Sequence, residues 1–222
     1  MTTTGFQRAR SAQAKQERES AILAAAQELG AARGIRTVTL TDIADAVGMH
    51  KSAMLRYFET REQIFLRLTA IGWHEWSADL RSRLEELPAP GGAPAPAASV
   101  AAALADSLVA RPMFCDLLAQ APLNLERNVS LESVRAFKLA TLEEVHAIRA
   151  ELTRLRDLTE QQAVDVIATA TSMAGALWQM ATPGPEVQAL YRSDPRLAHA
   201  TVEVGPRLTR VLTALLTGLA AN

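Results

Sequence analysis

Residues 39–58 read TLTDIADAVGMHKSAMLRYF, the layout of two short helices joined by a tight corner. The Thr39 side-chain oxygen is placed to accept a free backbone N–H, and Asp42 stands three positions on, a relaxed capping box that starts a helix. Ile43, Ala44 and Val47 give this helix an inward face. Ala44 is small where a second helix must cross closely, and Gly48, four residues later, takes the left-handed conformation that turns the chain. Met49 plugs the corner. A second helix is expected over 50–58, with Met54, Tyr57 and Phe58 facing inward.

That geometry leaves Lys51, Ser52, Ala53, Leu55 and Arg56 on the outside, where the first turns of such a helix meet base edges in the major groove of DNA. Lys51 and Arg56 suit phosphate or guanine, whereas Ala53 and Leu55 offer only apolar contact to thymine methyls or sugars. Corners of this kind also join helices in proteins that never touch DNA, so the flanking charge matters. Residues 1–58 hold eight Lys and Arg against five Asp and Glu, a net +3, while the remainder holds fifteen against nineteen, a net −4. A basic end on an acidic body is what a chain needs if one end meets a polyanion and the rest avoids it.

Outward from the corner, 222 residues suffice for one large or two small domains. With 49% hydrophobic and 21% charged residues, the composition is that of a folded globular chain. One cysteine, Cys115, excludes an internal disulfide and any multi-cysteine metal site. The first twenty residues carry no apolar run, so no secretory signal and a cytoplasmic location are expected. Ala and Leu recur at three- and four-residue spacing, and no strand-length alternation competes. The fold class is therefore all-α, with about nine helices: a three-helix helix-turn-helix unit over 1–60 and a larger helical body over 61–222.

The first helix is expected over 12–33, with Ile22, Ala26 and Leu29 on one face and Gly34 ending it. Over 61–87, Phe65, Leu68, Gly72, Trp76, Leu80, Leu84 and Leu87 form one apolar stripe on a helix roughly 40 Å long, enough for a lever. PAPGGAPAP at 88–96 reads as an exposed linker. Helical pieces follow over 99–110 and 112–120, broken at Arg111-Pro112. A helix over 130–156 is expected to bury Val134, the stem of Lys138, Thr141, Val145, Ile148, Leu152 and Leu155. Thr159 and Gln162 form a capping box for the next helix.

Between Asp165 and Glu186 lie twenty uncharged residues, a length that raises the question of a membrane. Pro183, Gly184 and Pro185 stop the helix short, and Thr169, Thr171, Ser172 and Gln179 suit lipid poorly, so a covered protein helix is the better reading. The last helix is expected to open at Asp194 and Pro195, to kink at Pro206, and to carry Leu208, Val211, Leu212, Leu215 and Leu219. Two terminal helices this apolar call for a second copy of the chain. The candidate interface is Ala170, Ala174, Leu177, Leu208, Val211, Leu212 and Leu215, with Gly175 also allowing close approach.

The stretch from Ile22 to Leu66, ILAAAQELGAARGIRTVTLTDIADAVGMHKSAMLRYFETREQIFL, resembles the amino-terminal domain of the TetR family of bacterial transcriptional regulators. The resemblance rests on the AA-x-E-L-x-x-x-x-G run, Thr39, Asp-Ile-Ala at 42–44, Gly48, Arg-Tyr-Phe at 56–58 and Arg61-Glu62, all in one register. It implies a homodimeric, all-helical regulator, usually a repressor, on a palindromic double-stranded DNA operator. It also implies a body that dimerises and holds a small-molecule effector. By position, Thr39 and Tyr57 look like phosphate contacts and Arg61 like a helix-start cation near the DNA backbone. Thr41, Lys51, Ser52, Ala53 and Arg56 look like the base-reading set. This sequence departs from the family pattern in three places. Gly30 replaces a large apolar residue, which implies looser packing; His50 stands where Ser or Thr usually caps; and Leu55 stands where Tyr is frequent.

The aromatic and methionine residues Trp73, Trp76, Met113, Phe114, Phe137, Met173 and Trp178 are candidates for an apolar effector pocket. Ordinary core packing is the preferred reading for each taken singly. His74, His146 and His199 share no ligand spacing, so neither metal nor cofactor is expected. Cys115 reads as a small buried hydrophobe. Arg8, Arg10 and Lys15 belong to an arm that either enters a minor groove or is solvated. No G-x-S-x-G, P-loop, G-x-G-x-x-G or H-E-x-x-H motif is present, so catalysis is not expected. A helical adaptor that binds only protein is the alternative.

Overall fold

A computed structural model describes residues 3–87, 94–200 and 202–220. They form α1 (Thr3–Arg33), α2 (Leu40–Ala46), α3 (Lys51–Met54), α4 (Arg61–Glu85), α5 (Ala97–Val109) and α6 (Pro112–Gln120). Then come α7 (Leu131–Leu155), α8 (Glu160–Ala181), α9 (Pro185–Ser193) and α10 (Val204–Leu219). No strand occurs among the described residues. Side chains of residues 1–12 lie outside the description, and with them Arg8 and Arg10 of the expected arm.

The elements start and stop where local chemistry dictates. Thr39 and Asp42 make the full reciprocal box on α2, and Thr159 and Gln162 make the same box on α8. The Thr60 and Ser130 hydroxyls cap α4 and α7, each satisfying an N–H that the first turn leaves open. Gly34 ends α1 at φ +78° and Gly48 turns the corner at φ +64°, a region where a β-carbon collides with the backbone.

Several elements differ from the sequence expectation. α1 begins at Thr3, so the arm continues the helix. The second helix of the corner is only Lys51–Met54, and tight turns carry the chain on to Phe58, whose N–H donates to the Met54 carbonyl at 3.1 Å. Asp194 and Pro195 open a separate 3-10 piece, Pro195–Ala200. α10 starts later, at Val204, which puts Pro206 in its first turn. There the missing N–H had no partner to lose, so no kink arises. Lys138 is exposed, its ammonium 2.8 Å from Glu126, because its position on α7 faces solvent rather than the body. α9 was not anticipated. Of the 88–96 segment, 94–96 is described, and Ala95 is anchored: its N–H donates to Leu155 at 2.9 Å and its carbonyl accepts from Arg156 at 2.6 Å.

One apolar core runs along α4. At the corner end it holds Ile22, Ala26, Ile35, Val38, Ile43, Met54, Phe58 and Ile64, all nearly or fully buried. In the body, Trp76, Leu80 and Leu84 of α4 share it with Leu104, Leu108, Ile148, Leu152, Leu208 and Leu212. Trp76 is buried without cost to its polar end, because its indole N–H donates to Ser107 Oγ at 2.9 Å. Gly72 is required by close approach: a β-carbon there would lie 2.4 Å from the Phe114 ring.

Candidate nucleic-acid interface

The corner is held from beneath by Ile43, Ala44 and Met54, each buried, and by the Met49 N–H donating to the Ala44 carbonyl at 2.8 Å. On its outer side Thr41, His50, Lys51, Ser52 and Arg56 are exposed, while Ala53 and Tyr57 are half-buried. Leu55 is also exposed, an apolar side chain held out among cations. The side chains of Lys51 and Arg56 make no hydrogen bond or ion pair to any described residue, so both charges are available to a partner. His50 occupies the cap position of α3 without a side-chain capping bond.

Two residues assigned to the DNA backbone by resemblance are engaged elsewhere. The Thr39 hydroxyl donates to Asp42 Oδ2 at 2.7 Å and accepts from the Asp42 N–H at 3.1 Å. It meets a phosphate only by giving up its bond to the carboxylate. The backbone and hydroxyl of Thr39 hold the Asp42 carboxyl below its ordinary pKa. Arg61 is more firmly committed. Its guanidinium donates to the carbonyls of Val38 and Ile35, pairs with Glu62 at 2.9 Å, and lies 4.7 Å from the Phe65 ring centroid. With 15% of its side chain exposed, Arg61 ties the α1–α2 loop to α4.

Contacts that local sequence patterns do not reveal join this unit to the body. Asp116 of α6 accepts from the Ile35 N–H at 3.1 Å and from Gln179 near the end of α8 at 2.7 Å, a strut from the corner unit to the body. Met113 fills the space that Gly30 leaves, its methyl 3.0 Å from where a β-carbon would be. The looser packing expected at Gly30 is therefore replaced by an interlock between α1 and α6. On the other side, Glu59 accepts from the Ser130 N–H at 2.9 Å and from the Ser133 hydroxyl at 2.7 Å. These bonds, led by the Ser130 N–H, hold its carboxyl below its ordinary pKa. Next to it, the Thr60 hydroxyl donates to the Asn128 carbonyl at 3.1 Å.

The candidate pocket residues do not line one cavity. Trp73, Trp76 and Phe114 pack together as core, with Trp73 edge-on to both neighbours at centroid distances of 5.3 and 5.9 Å. Met113 and Phe114 border a small cleft of about 160 Å³, and Trp73 and Phe137 border another of about 210 Å³. Met173 and Trp178 are half-buried and line neither. Most of the candidate interface residues are covered within one chain. Ala170, Ala174, Leu208 and Leu212 are wholly buried and Leu177 is 5% exposed within a single chain, because α6 covers that face of α8 and α5 covers that face of α10. Gly175 shows why: its α-carbon lies so near α6 that a β-carbon would approach the Ala119 backbone at 2.9 Å. Val211 is exposed and Leu215 half-buried.

Cys115 is fully buried, and desolvation first, then the Asp116 charge, pushes its thiol up to about 12. No cluster of metal-ligating side chains occurs among the described residues. No single helix among them is long and apolar enough to cross a membrane.

An all-helical chain with a turned two-helix corner, exposed cations and a separate helical body defines the class of helix-turn-helix regulators. Residues 22–68 match the sequence profile of bacterial regulatory proteins of the tetR family, and residues 72–222 match the tetracyclin repressor-like C-terminal domain. The chain belongs to the TetR family of transcriptional regulators. Among solved structures it is similar to the fatty acid degradation regulator FadR from Bacillus halodurans, with 14% identity, a TM-score of 0.56, and 90% of this chain and 98% of that one covered. It is also similar to RolR in complex with resorcinol, with 15% identity, a TM-score of 0.53, and 91% and 96% covered. No curated protein matches the sequence.

Proposed function

We propose that the chain acts as a homodimeric repressor: residues 1–60 read a palindromic operator, and residues 61–222 dimerise and take up a small apolar effector that releases the DNA. The observation that carries this reading is the outer side of the corner, where Thr41, His50, Lys51, Ser52 and Arg56 stand exposed over a buried support. Two such corners must lie about 34 to 36 Å apart to enter successive major grooves. α4 supplies a rigid link of about 37 Å from corner to body, at 1.5 Å per residue. An effector that tilts α4 changes the spacing and weakens binding by its differential affinity for the two states, typically about 1–3 kcal/mol.

The second copy docks on the surface that the chain leaves uncovered. Ala168, Ala176 and Met180 on α8, Val187 and Leu190 on α9, and Val211 on α10 are exposed, and small residues on α8 permit close helix approach. Gel retardation on fragments from upstream of its own gene, with light scattering for the mass, tests the whole reading. A dimer that shifts a fragment with twofold sequence symmetry is the expected result. A chain that stays monomeric and binds no fragment points instead to a helical adaptor for other proteins.

A further inference from the structure

Three clefts along the body are chemically unlike, and a further one of about 400 Å³ between α1 and α4 is polar, lined by Lys15, Gln16, Glu19 and Arg67. The one between α4 and α7, about 360 Å³, is lined by Glu59, Gln63 and Ser133, which already satisfy one another. The one at Gly72 is the smallest, at about 160 Å³. The third, about 210 Å³, is walled by Trp73, Phe137, Leu118 and Pro122. An apolar cavity of about 150 Å³ holds a benzene ring, so this one has room for a substituted or fused ring. Aromatic walls favour an aromatic guest by offset or edge-on contact.

Three further observations narrow the guest. Thr141 on the cleft wall keeps its hydroxyl oxygen buried with no hydrogen-bond partner, so a turn about χ1 that brings it into the cleft breaks no protein hydrogen bond and gains one from a guest hydroxyl or carbonyl. Lys138 at the rim is paired with Glu126 at 2.8 Å, so no free cation is offered to a carboxylate. The wall at Ala121–Leu125 is a single π-helical turn, a wide winding that opens space in a helix and recurs at functional sites. We propose that this cleft binds a neutral, planar aromatic molecule of one or two rings bearing a hydroxyl that pairs with Thr141. The proposal rests on the effector reading above and deepens it. The chain running from Pro122 and Glu126 at the cleft reaches Asn128 and Ser130, which hold Thr60 and Glu59 at the foot of α4.

Calorimetric titration of the full-length protein with 2-naphthol, naphthalene and 2-naphthoate tests the site without DNA. The expected order places 2-naphthol about three- to tenfold tighter than naphthalene, the worth of one net hydrogen bond, and 2-naphthoate weakest. Thr141→Val removes that preference while leaving ring binding, and Thr141→Phe, which fills the cleft, abolishes binding of all three with the circular dichroism spectrum unchanged. Equal binding of 2-naphthol and naphthalene, tighter binding of 2-naphthoate, or full 2-naphthol binding by the folded Thr141→Phe protein overturns the proposal. Operator retardation with and without 2-naphthol is read separately. Binding in the cleft without operator release refutes the effector reading alone, and release that survives Thr141→Phe refutes the cleft alone.

Discussion

The corner at residues 39–58 and the joint that follows it, residues 59–65, are neighbours in the chain and use their charges in opposite ways. In the corner, the side chains of Lys51 and Arg56 are exposed and pair with no described residue, over a support made of Ile43, Ala44 and Met54. In the joint, Arg61 and Glu59 are tied down, one to the Ile35 and Val38 carbonyls, the other to Ser130 and Ser133. A cation is worth most to a polyanion when nothing in the protein competes for it. It is worth most to the fold when it answers carbonyls that would otherwise be left partly buried without donors. Sequence proximity to a DNA-reading motif does not by itself decide which role an arginine takes.

The contrast breaks or sharpens by measurement. Arg61→Ala is expected to have the largest effect on stability, a loss of about 2–4 kcal/mol from two charge-assisted bonds to backbone carbonyls, read by urea denaturation. If Arg61 served DNA instead, stability would hold and the salt slope of operator binding would fall by about one. Lys51→Ala and Arg56→Ala reverse this pattern. Each is expected to weaken operator binding by about 1–3 kcal/mol, roughly ten- to a hundredfold, with an unchanged Tm.

Asp116→Ala tests the strut between the two units. It strands the Ile35 N–H and frees Gln179, and is expected to destabilise by about 1–2 kcal/mol; an unaltered denaturation midpoint would mean that the strut is ornamental. Gly48→Ala, inside the corner, is expected to lose about 1 kcal/mol from the left-handed backbone alone, since no neighbour lies within 4 Å of the added carbon. The smallest effect is with pH. Asp42 and Glu59 are both held below their ordinary values, so their contribution to stability is complete at neutral pH and fades as acid protonates them in the folded state. Acid titration of Asp42→Asn with Glu59→Gln should show a shallower loss than the parent; an identical acid profile would remove both groups from the account.

The corner was readable in sequence because its determinants are local. Thr39, Asp42, Ala44 and Gly48 act within a few residues of themselves, as do Thr159 and Gln162 on α8. The bonds of the joint were not legible in sequence for the opposite reason. Arg61 meets Ile35 and Val38 across 26 and 23 residues, and Asp116 meets Ile35 across 81, separations at which no spacing rule operates. The apolar stripes on α8 and α10 were correctly seen as needing cover, but periodicity is silent on what provides it. Leu208 and Leu212 meet the chain's own core, and the remaining surface, with α9, is the one proposed for a second copy. The pocket suffered likewise: aromatic residues shared helices, yet Trp76 met Ser107 while Trp73 and Phe137 bordered a cleft.

The sealed thiol of Cys115, the single cysteine in the chain, has a practical corollary. Maleimide and methanethiosulfonate reagents attack thiolate at accessible sites, and this sulfur offers neither. A cysteine introduced at exposed Ala46 would be the sole point of labelling on an otherwise unaltered background. In the proposed dimer, paired spin labels there, one per subunit, would act as a ruler, reading the distance between the two corners as DNA and 2-naphthol are added in turn.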